Sequence, residues 1–210
     1  KMQKQILKFS ILYFLTILLI NSCIIVKEEN KLEQQAIPEI LLSPKPQIPM
    51  SEELIRSKDG DMIANIPENW FFVDVEEKVS SDIICFATNS DFSLGIAFSY
   101  IRSVPQVDEV FENEGLIGIA RISFDNRQKK SAGAIKLVGD YNILQIGAFT
   151  FAHYDFINSN GLLASSAVFK SEENNYYEFS LLQMNITGKI LPDKLETQKI
   201  FESVLTTIQY

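Results

Sequence analysis

The stretch AFTFAHYDFINSNGLLASSAVFK, residues 148–170, decides the fold. Two runs rich in Phe, Tyr, Val and Ala, 148–158 and 162–170, flank Ser159-Asn160-Gly161. Aromatic and β-branched residues suit a pleated, half-buried surface, and Asn-Gly between two such runs is a hairpin signal. The pattern continues on both sides. Residues 134–138 and 142–146 read as strands upstream; downstream, 176–184 follows a turn over Glu172, Glu173, Asn174 and Asn175. Connections this short make neighbouring strands antiparallel. The second half of the chain is therefore predicted to be an antiparallel meander.

Further out, residues 62–66 predict a strand, IPEN (66–69) a turn, and WFFVDV (70–75) another strand. Residues 83–87 and 94–101 predict two more, with the turn-rich TNSDF between them and Pro105 after them. Residues 107–124 predict a helix. Asp108 and Glu109 suit its positive end, and Val107, Val110, Phe111, Leu116, Ile117, Ile119, Ala120 and Phe124 supply its apolar side. Gly115 and Gly118 weaken it by roughly 1 kcal/mol each relative to Ala. A last helix opens with Pro192 in its first turn. Leu195, Phe201, Val204, Leu205 and Ile208 form its stripe, with Lys194, Glu196, Lys199 and Glu202 outside. Neighbouring aromatics such as Trp70-Phe71-Phe72 and Tyr176-Tyr177 point to opposite faces of a strand. They are all core if both faces are covered; an open face would let Trp70 or a Tyr line a groove. The expected class is α+β, an antiparallel sheet flanked by helices, as one domain over residues 60–210.

Two segments carry a family resemblance: Ile66, Pro67, Glu68, Asn69 and Trp70 at the start, and Phe201, Val204 and Ile208 within IFESVLTTI at the end. With the order of elements between them, they resemble the PsbP-like family, which includes DcrB-type bacterial lipoproteins, over about residues 60–208. Asn69 stands where that family often has Gly. The resemblance implies an antiparallel sheet with flanking helices and an assembly or accessory role, not a catalytic one.

Residues 1–22 read as an export signal. Lys1, Lys4 and Lys8 precede the apolar run 9–20, and no acid occurs before Glu28. Twelve helical residues span only about 18 Å, short of the ~30 Å hydrocarbon core. The run ends Ile20-Asn21-Ser22-Cys23, which resembles the lipobox of bacterial lipoproteins. The expectation is cleavage before Cys23, a diacylglyceryl group on its sulfur and an acyl chain such as palmitate on its amine. Two or more chains give stable attachment to a membrane. A signal-anchored membrane protein is the alternative, since Ile24-Ile25-Val26 lengthens the apolar run. Ile24 in place of Asp after the cysteine favours the outer membrane of a bacterial cell envelope. Residues 23–59, with Pro38, Pro44, Pro46 and Pro49, read as a tether, and Ser51 as the cap of one or two helical turns over 51–57.

Removing residues 1–22 takes three Lys and no acid from 19 basic and 27 acidic residues, leaving a net charge of −11. That excludes a nucleic-acid partner, which needs a basic face. With Cys23 lipidated, Cys85 is left without a disulfide partner and, in DIICFA, reads as a buried small hydrophobe. His153, the single histidine, shares a strand face with Asp155 at i, i+2. The pair reads as polar residues on a solvated sheet face; an exported hydrolase-like enzyme using His153 with carboxylates, or a Cys85–His153 centre, is the alternative. Asp59-Gly60-Asp61 starts like a calcium loop, but the twelfth position is Trp70, so a turn is expected. No Walker loop, dinucleotide fingerprint, HExxH or GxSxG occurs. The reading is a non-enzymatic binding or assembly domain with no cofactor or metal, held to membrane lipid through Cys23 and facing an envelope protein partner.

Overall fold

The computed structural model describes residues 39–74, 81–102 and 107–210. The signal, Cys23 and residues 24–38 of the expected tether lie outside the described residues. The chain divides into two units, Lys1–Ala36 and Ile37–Tyr210, and all the described residues belong to the second.

The predicted meander is present. Strands β7 (Lys136–Ile146), β8 (Phe149–Ile157), β9 (Leu163–Lys170) and β10 (Tyr176–Gln183) pair in sequence, each antiparallel to the next. The runs 134–138 and 142–146 are one strand, β7, whose register shifts between Val138 and Asn142. The β8–β9 turn needs left-handed backbone only at Gly161 (φ 74°), while Asn158 closes it through its side chain and main chain.

Four further strands complete the sheet. They are β1 (Glu39–Leu41), β4 (Phe71–Phe72), β5 (Ile83–Thr88) and β6 (Leu94–Tyr100), and the spatial order is β1-β7-β8-β9-β10-β6-β5-β4. Every pair is antiparallel except β1–β7, which is parallel. A separate antiparallel hairpin joins β2 (Met50–Arg56) to β3 (Ile63–Pro67).

Both faces of the sheet are covered. Helix α1 (Val107–Lys130) lies on one, burying Ile117, Ala120 and Phe124 against Ala152, Tyr154, Phe156 and Val168. The β2–β3 hairpin and helix α2 (Lys194–Leu205) lie on the other. There Phe179 stacks between Phe98 and Phe201 at 5.0 and 5.2 Å. The flanking layer is thus helical on one side and mixed on the other, which corrects the simpler expectation.

Several local expectations change with it. The domain does not wait for residue 60: β1 and β2 fall inside the stretch read as tether, and Leu42 N–H donates to Gln145 O at 2.9 Å. Residues 51–57 form strand β2 and not helical turns, because β3 pairs with it and Ile55 enters the core. Ser51 Oγ accepts from Glu53 N–H as a turn would, without a helix following. Strand β4 keeps only two residues of WFFVDV. Trp70 packs on the core, whereas Phe71 and Phe72 are about two-fifths exposed at the sheet edge. Asn69, where Gly was expected by resemblance, adopts φ 64°, the left-handed backbone that explains a glycine preference there. Helix α1 breaks at Gly115 (φ 61°, ψ −153°), a conformation open essentially to glycine alone, and then runs on to Lys130. Asp193, not Pro192, sets the start of α2: its Oδ1 accepts from Glu196 N–H at 2.8 Å. Leu195 is exposed; Ile200, Phe201, Val204 and Leu205 carry the buried stripe.

Asp61 pins the hairpin to the sheet. Its Oδ1 accepts from Ser57 Oγ (2.7 Å) and Tyr177 Oη, its Oδ2 from Ser171 Oγ (2.5 Å) and Asn175 Nδ2 (2.9 Å). Burial alone would raise its carboxyl. The hydrogen bonds from Ser171, Tyr177, Asn175 and Ser57 outweigh that and hold it well below the usual carboxylate range. The residue that resembled a calcium ligand is therefore a structural acceptor with four donors.

In acid, the unfolded chain takes up a proton that folded Asp61 refuses, so stability falls with pH. The stability gap between the wild type and Asp61→Asn, measured by urea denaturation, is expected to hold steady above about pH 5. It should shrink as the pH drops through the ordinary carboxyl value of 3.8.

Candidate functional site

Helix α1 covers β7, β8 and β9 but leaves the same face of β5 and β6 open. The result is a groove of about 730 Å³. Its walls include Phe86, Arg102, Arg127 and Lys130. Its floor ends at Glu178, a carboxylate on β10 that is only 3% exposed.

Glu178 is there because β10 alternates. Tyr177, Phe179 and Leu181 face the hairpin side, so Tyr176, Glu178 and Ser180 face α1. On α1, Ala120, Ser123, Phe124 and Arg127 recur at i, i+3, i+4 and i+7, one face of a helix. That face delivers two donors to the carboxylate. Ser123 Oγ donates to Glu178 Oε2 at 2.9 Å; Arg127 donates to the same oxygen from Nε (3.1 Å) and Nη2 (2.5 Å). Tyr154 Oη, from β8, donates to Glu178 Oε1 at 2.5 Å. Arg127 Nη2 also donates to Ser180 Oγ, which pairs with Ser166 Oγ at 2.7 Å. The Glu178 charge raises the Arg127 pKa against the effect of burial, and burial together with that same charge raises the Tyr154 hydroxyl. Both groups stay protonated across the neutral range.

At the groove mouth Arg102 forms an ion pair with Asp82 and donates to Ser81 O and Oγ at 3.0 and 2.8 Å. Lys130 Nζ lies 3.9 Å from Asp82 Oδ2. The groove is thus a polar surface with one aromatic wall, Phe86.

The sequence-predicted candidates are placed elsewhere. Cys23 lies outside the described residues. Cys85 sits on β5, where burial, against a hydrogen bond from the Phe98 backbone, pushes its thiol up to about 12. His153 sits on β8, four strand spacings away in the order β8-β9-β10-β6-β5. At ~4.8 Å per strand that is about 19 Å, so the structure does not bring Cys85 and His153 together.

His153 and Asp155 do meet: Nε2 is 3.2 Å from Asp155 Oδ1. They are not on a solvated face, as expected, but beneath α2, with Phe201's ring 5.3 Å from the imidazole. The β8–β9 register sets Ser165 opposite Asp155, and Ser165 Oγ donates to Asp155 Oδ1 at 2.6 Å. Burial would raise the Asp155 carboxyl; the hydrogen bond and charge of His153 and the Ser165 bond lower it overall. Asp59 and Asp61 do not form a cation loop, and among the described residues no three His, Cys, Asp or Glu side chains are placed to hold a metal.

Sequence reasoning missed Glu178, Arg127 and Tyr154. One signal was available: YYEFS places a carboxylate inside a strand whose neighbours are all buried.

No protein-family model matches the sequence, and no curated protein matches it. Solved structures do. The solution structure of cyanobacterial PsbP (CyanoP) from Synechocystis sp. PCC 6803 is 15% identical, with a TM-score of 0.53, over 75% of this chain and 92% of that one. A crystal structure from Bacteroides thetaiotaomicron VPI-5482 is 14% identical, with a TM-score of 0.37, over 75% of this chain and 47% of that one. The chain has the PsbP-like fold.

Removing one partner of a buried charge pair leaves the other without compensation, at about 3–5 kcal/mol. Arg127→Ala is expected to lose stability on that scale. Arg127→Leu combined with Glu178→Leu should lose much less, because neither charge is then buried. Urea denaturation of the two variants separates the cases, and equal losses would mean that packing, not charge, sets the stability.

Proposed function

We propose that the chain is a bacterial envelope lipoprotein, anchored by lipid on Cys23, whose folded domain binds a partner protein and catalyses no reaction. The observation that carries the binding role is the groove beside α1. Its ionised side chains are already held, Arg127 by Glu178 and Arg102 by Asp82. Charged groups already paired within the domain present a fixed surface of the kind recognition uses. Phe86 adds aromatic area of the kind that anchors interfaces. With Arg102 paired to Asp82 and Arg127 to Glu178, the lining still carries three cations against two carboxylates, Lys130 being the excess, in a chain whose net charge is −8, so a segment of an envelope protein that offers an acidic side chain to Lys130 fits the groove.

The rival reading, an exported hydrolase-like enzyme built on His153, draws on its pairing with Asp155. A triad would need a nucleophile hydrogen-bonded to the other ring nitrogen. Ser165, the adjacent hydroxyl, gives its proton to Asp155 instead.

Two measurements test the proposal. Mass spectrometry of the mature protein should find Cys23 lipidated at the N-terminus; an unmodified Cys23 still preceded by residues 1–22 defeats the anchor. A photo-crosslinking residue at Ser99 in the groove should capture one discrete protein in intact cells, lost when Lys130→Glu is added. The same residue at exposed Glu172 should not. The same adduct from both positions, or none from Ser99, defeats the binding role.

A further inference from the structure

Among the described residues, the aromatic side chains left exposed are Phe71, Phe72 and Phe92, each by about two-fifths. They meet at one corner of the sheet. Phe71 and Phe72 form the edge strand β4. Phe92 sits in the turn between β5 and β6, its ring 5.6 Å from that of Phe71 and edge-on to it. Val73, also exposed, follows along the edge. Ile186, more exposed still, comes from the segment after β10, which is tied to the same turn: Thr187 Oγ1 donates to Asp91 O at 2.9 Å. An apolar patch of this kind marks a surface that meets a protein or a membrane.

Displaying Phe92 strains the turn. Its backbone is left-handed, φ 57°, a region that Asn and Gly enter readily and a bulky residue seldom does. The turn is built to hold it there. Asn89 Oδ1 accepts from Ser93 N–H at 3.0 Å and from Leu94 N–H at 3.1 Å, and Asn89 Nδ2 donates to Ser93 Oγ at 2.8 Å. Asp91 Oδ1 accepts from Ser93 N–H as well, at 3.0 Å. Contact with Phe71 alone does not account for a large apolar ring in strained backbone, held firmly and left two-fifths in water.

The anchor indicates what covers the patch. On the Cys23 reading above, on which this inference rests for its geometry, fifteen residues (24–38) separate the lipid from β1. Fully extended, fifteen residues reach about 50 Å. The eight-stranded sheet is only about 34 Å across at ~4.8 Å per strand. The β4 corner is therefore within reach of the bilayer to which the chain is fixed, at an effective concentration that favours even a small contact. Glu68 and Asp74, exposed on either side of β4, disfavour an anionic lipid surface. We propose that the Phe71, Phe72 and Phe92 patch docks the domain on zwitterionic lipid, with the rings entering the apolar side of the headgroup layer. Docked so, the α1 groove over β5 and β6 lies one to two strand spacings from the bilayer.

Trp70, the single tryptophan, directly precedes Phe71 and reports on the patch. The full-length protein is reconstituted from detergent into phosphatidylcholine–phosphatidylethanolamine vesicles that carry bromine on the upper acyl chain, and is recovered by flotation. Bromine is expected to quench Trp70. Phe92→Asn should lower the ratio of docked to undocked domain by about tenfold, the scale of withdrawing one Phe from an apolar contact. It should do so with a melting temperature no lower than the wild type's, because Asn enters left-handed backbone more easily. Ile186→Ser, in an exposed segment, should weaken the quenching too and stands in if Phe92→Asn fails to fold. Floated protein with unquenched Trp70, or quenching that both variants leave intact, overturns the proposal. So does a dimer in detergent that Phe92→Asn splits, which would assign the patch to a second copy. The anchor and the docking fail separately. Lipidated Cys23 with unquenched Trp70 defeats the docking alone. Unmodified Cys23 with residues 1–22 retained and Trp70 quenched defeats the lipid alone, since an uncleaved signal would hold the chain to the vesicle as well. Protein that does not float defeats both.

Discussion

A buried carboxylate organises one whole side of this molecule. Glu178 sits mid-strand in a sheet whose two faces are both covered, and an ionised group there is tolerated only when its oxygens are answered. Ser123 and Arg127 answer them from one helix, and Tyr154 from β8, two strands away. This fixes where α1 lies. The apolar contacts of Phe124 and Ala120 would tolerate some sliding of the helix; three hydrogen bonds from the helix converging on one oxygen do not. Because α1 is held over β7–β9, β5 and β6 stay open on that face, and the groove is the consequence.

The opposite face repeats the device with different parts. Asp61 gathers donors from its own hairpin (Ser57) and from the β9–β10 region (Ser171, Asn175, Tyr177). It holds the β2–β3 hairpin against the sheet while Met62, Ala64 and Ile66 fill the core beneath it. In both cases apolar burial supplies most of the attraction, which is non-directional. The carboxylate supplies the position. The layer that results on this side also carries α2, and a space is left between α2 and the meander beside His153. The two concave features of the domain are therefore by-products of how its covering layers are pinned.

What was legible in the sequence followed from local physics. The meander showed itself through strand composition, short connections and Asn160-Gly161, all of which act over a few residues. The pairing of His153 with Asp155 was legible for the same reason, since i, i+2 residues share a strand face. What the pair was doing was not legible, because Phe201, some forty to fifty residues later, decides whether that face is wet or covered. Strand β2 was misread as helical turns because Ser51 and the acids after it suit a cap; β3 overrode that preference by offering a ladder and a core position for Ile55. The break in α1 was half legible: Gly115 marked weakness, but only the packed structure turned weakness into a change of direction.

By itself the sequence determined the α+β class, the strand order of the meander, the acidic charge of the chain and the expectation of a signal cleaved before Cys23. These rest on periodicity, turn chemistry and composition, which a chain carries before it folds. Only the tertiary structure decided that residues 39–56 join the domain, that Cys85 and His153 lie strands apart, and that Glu178, Arg127 and Tyr154 form one network. Those facts depend on residues far apart in the chain meeting under a common cover. Arg127 and Glu178 are separated by 51 positions, and no local pattern encodes which carboxylate a helical arginine will find once the helix has somewhere to land.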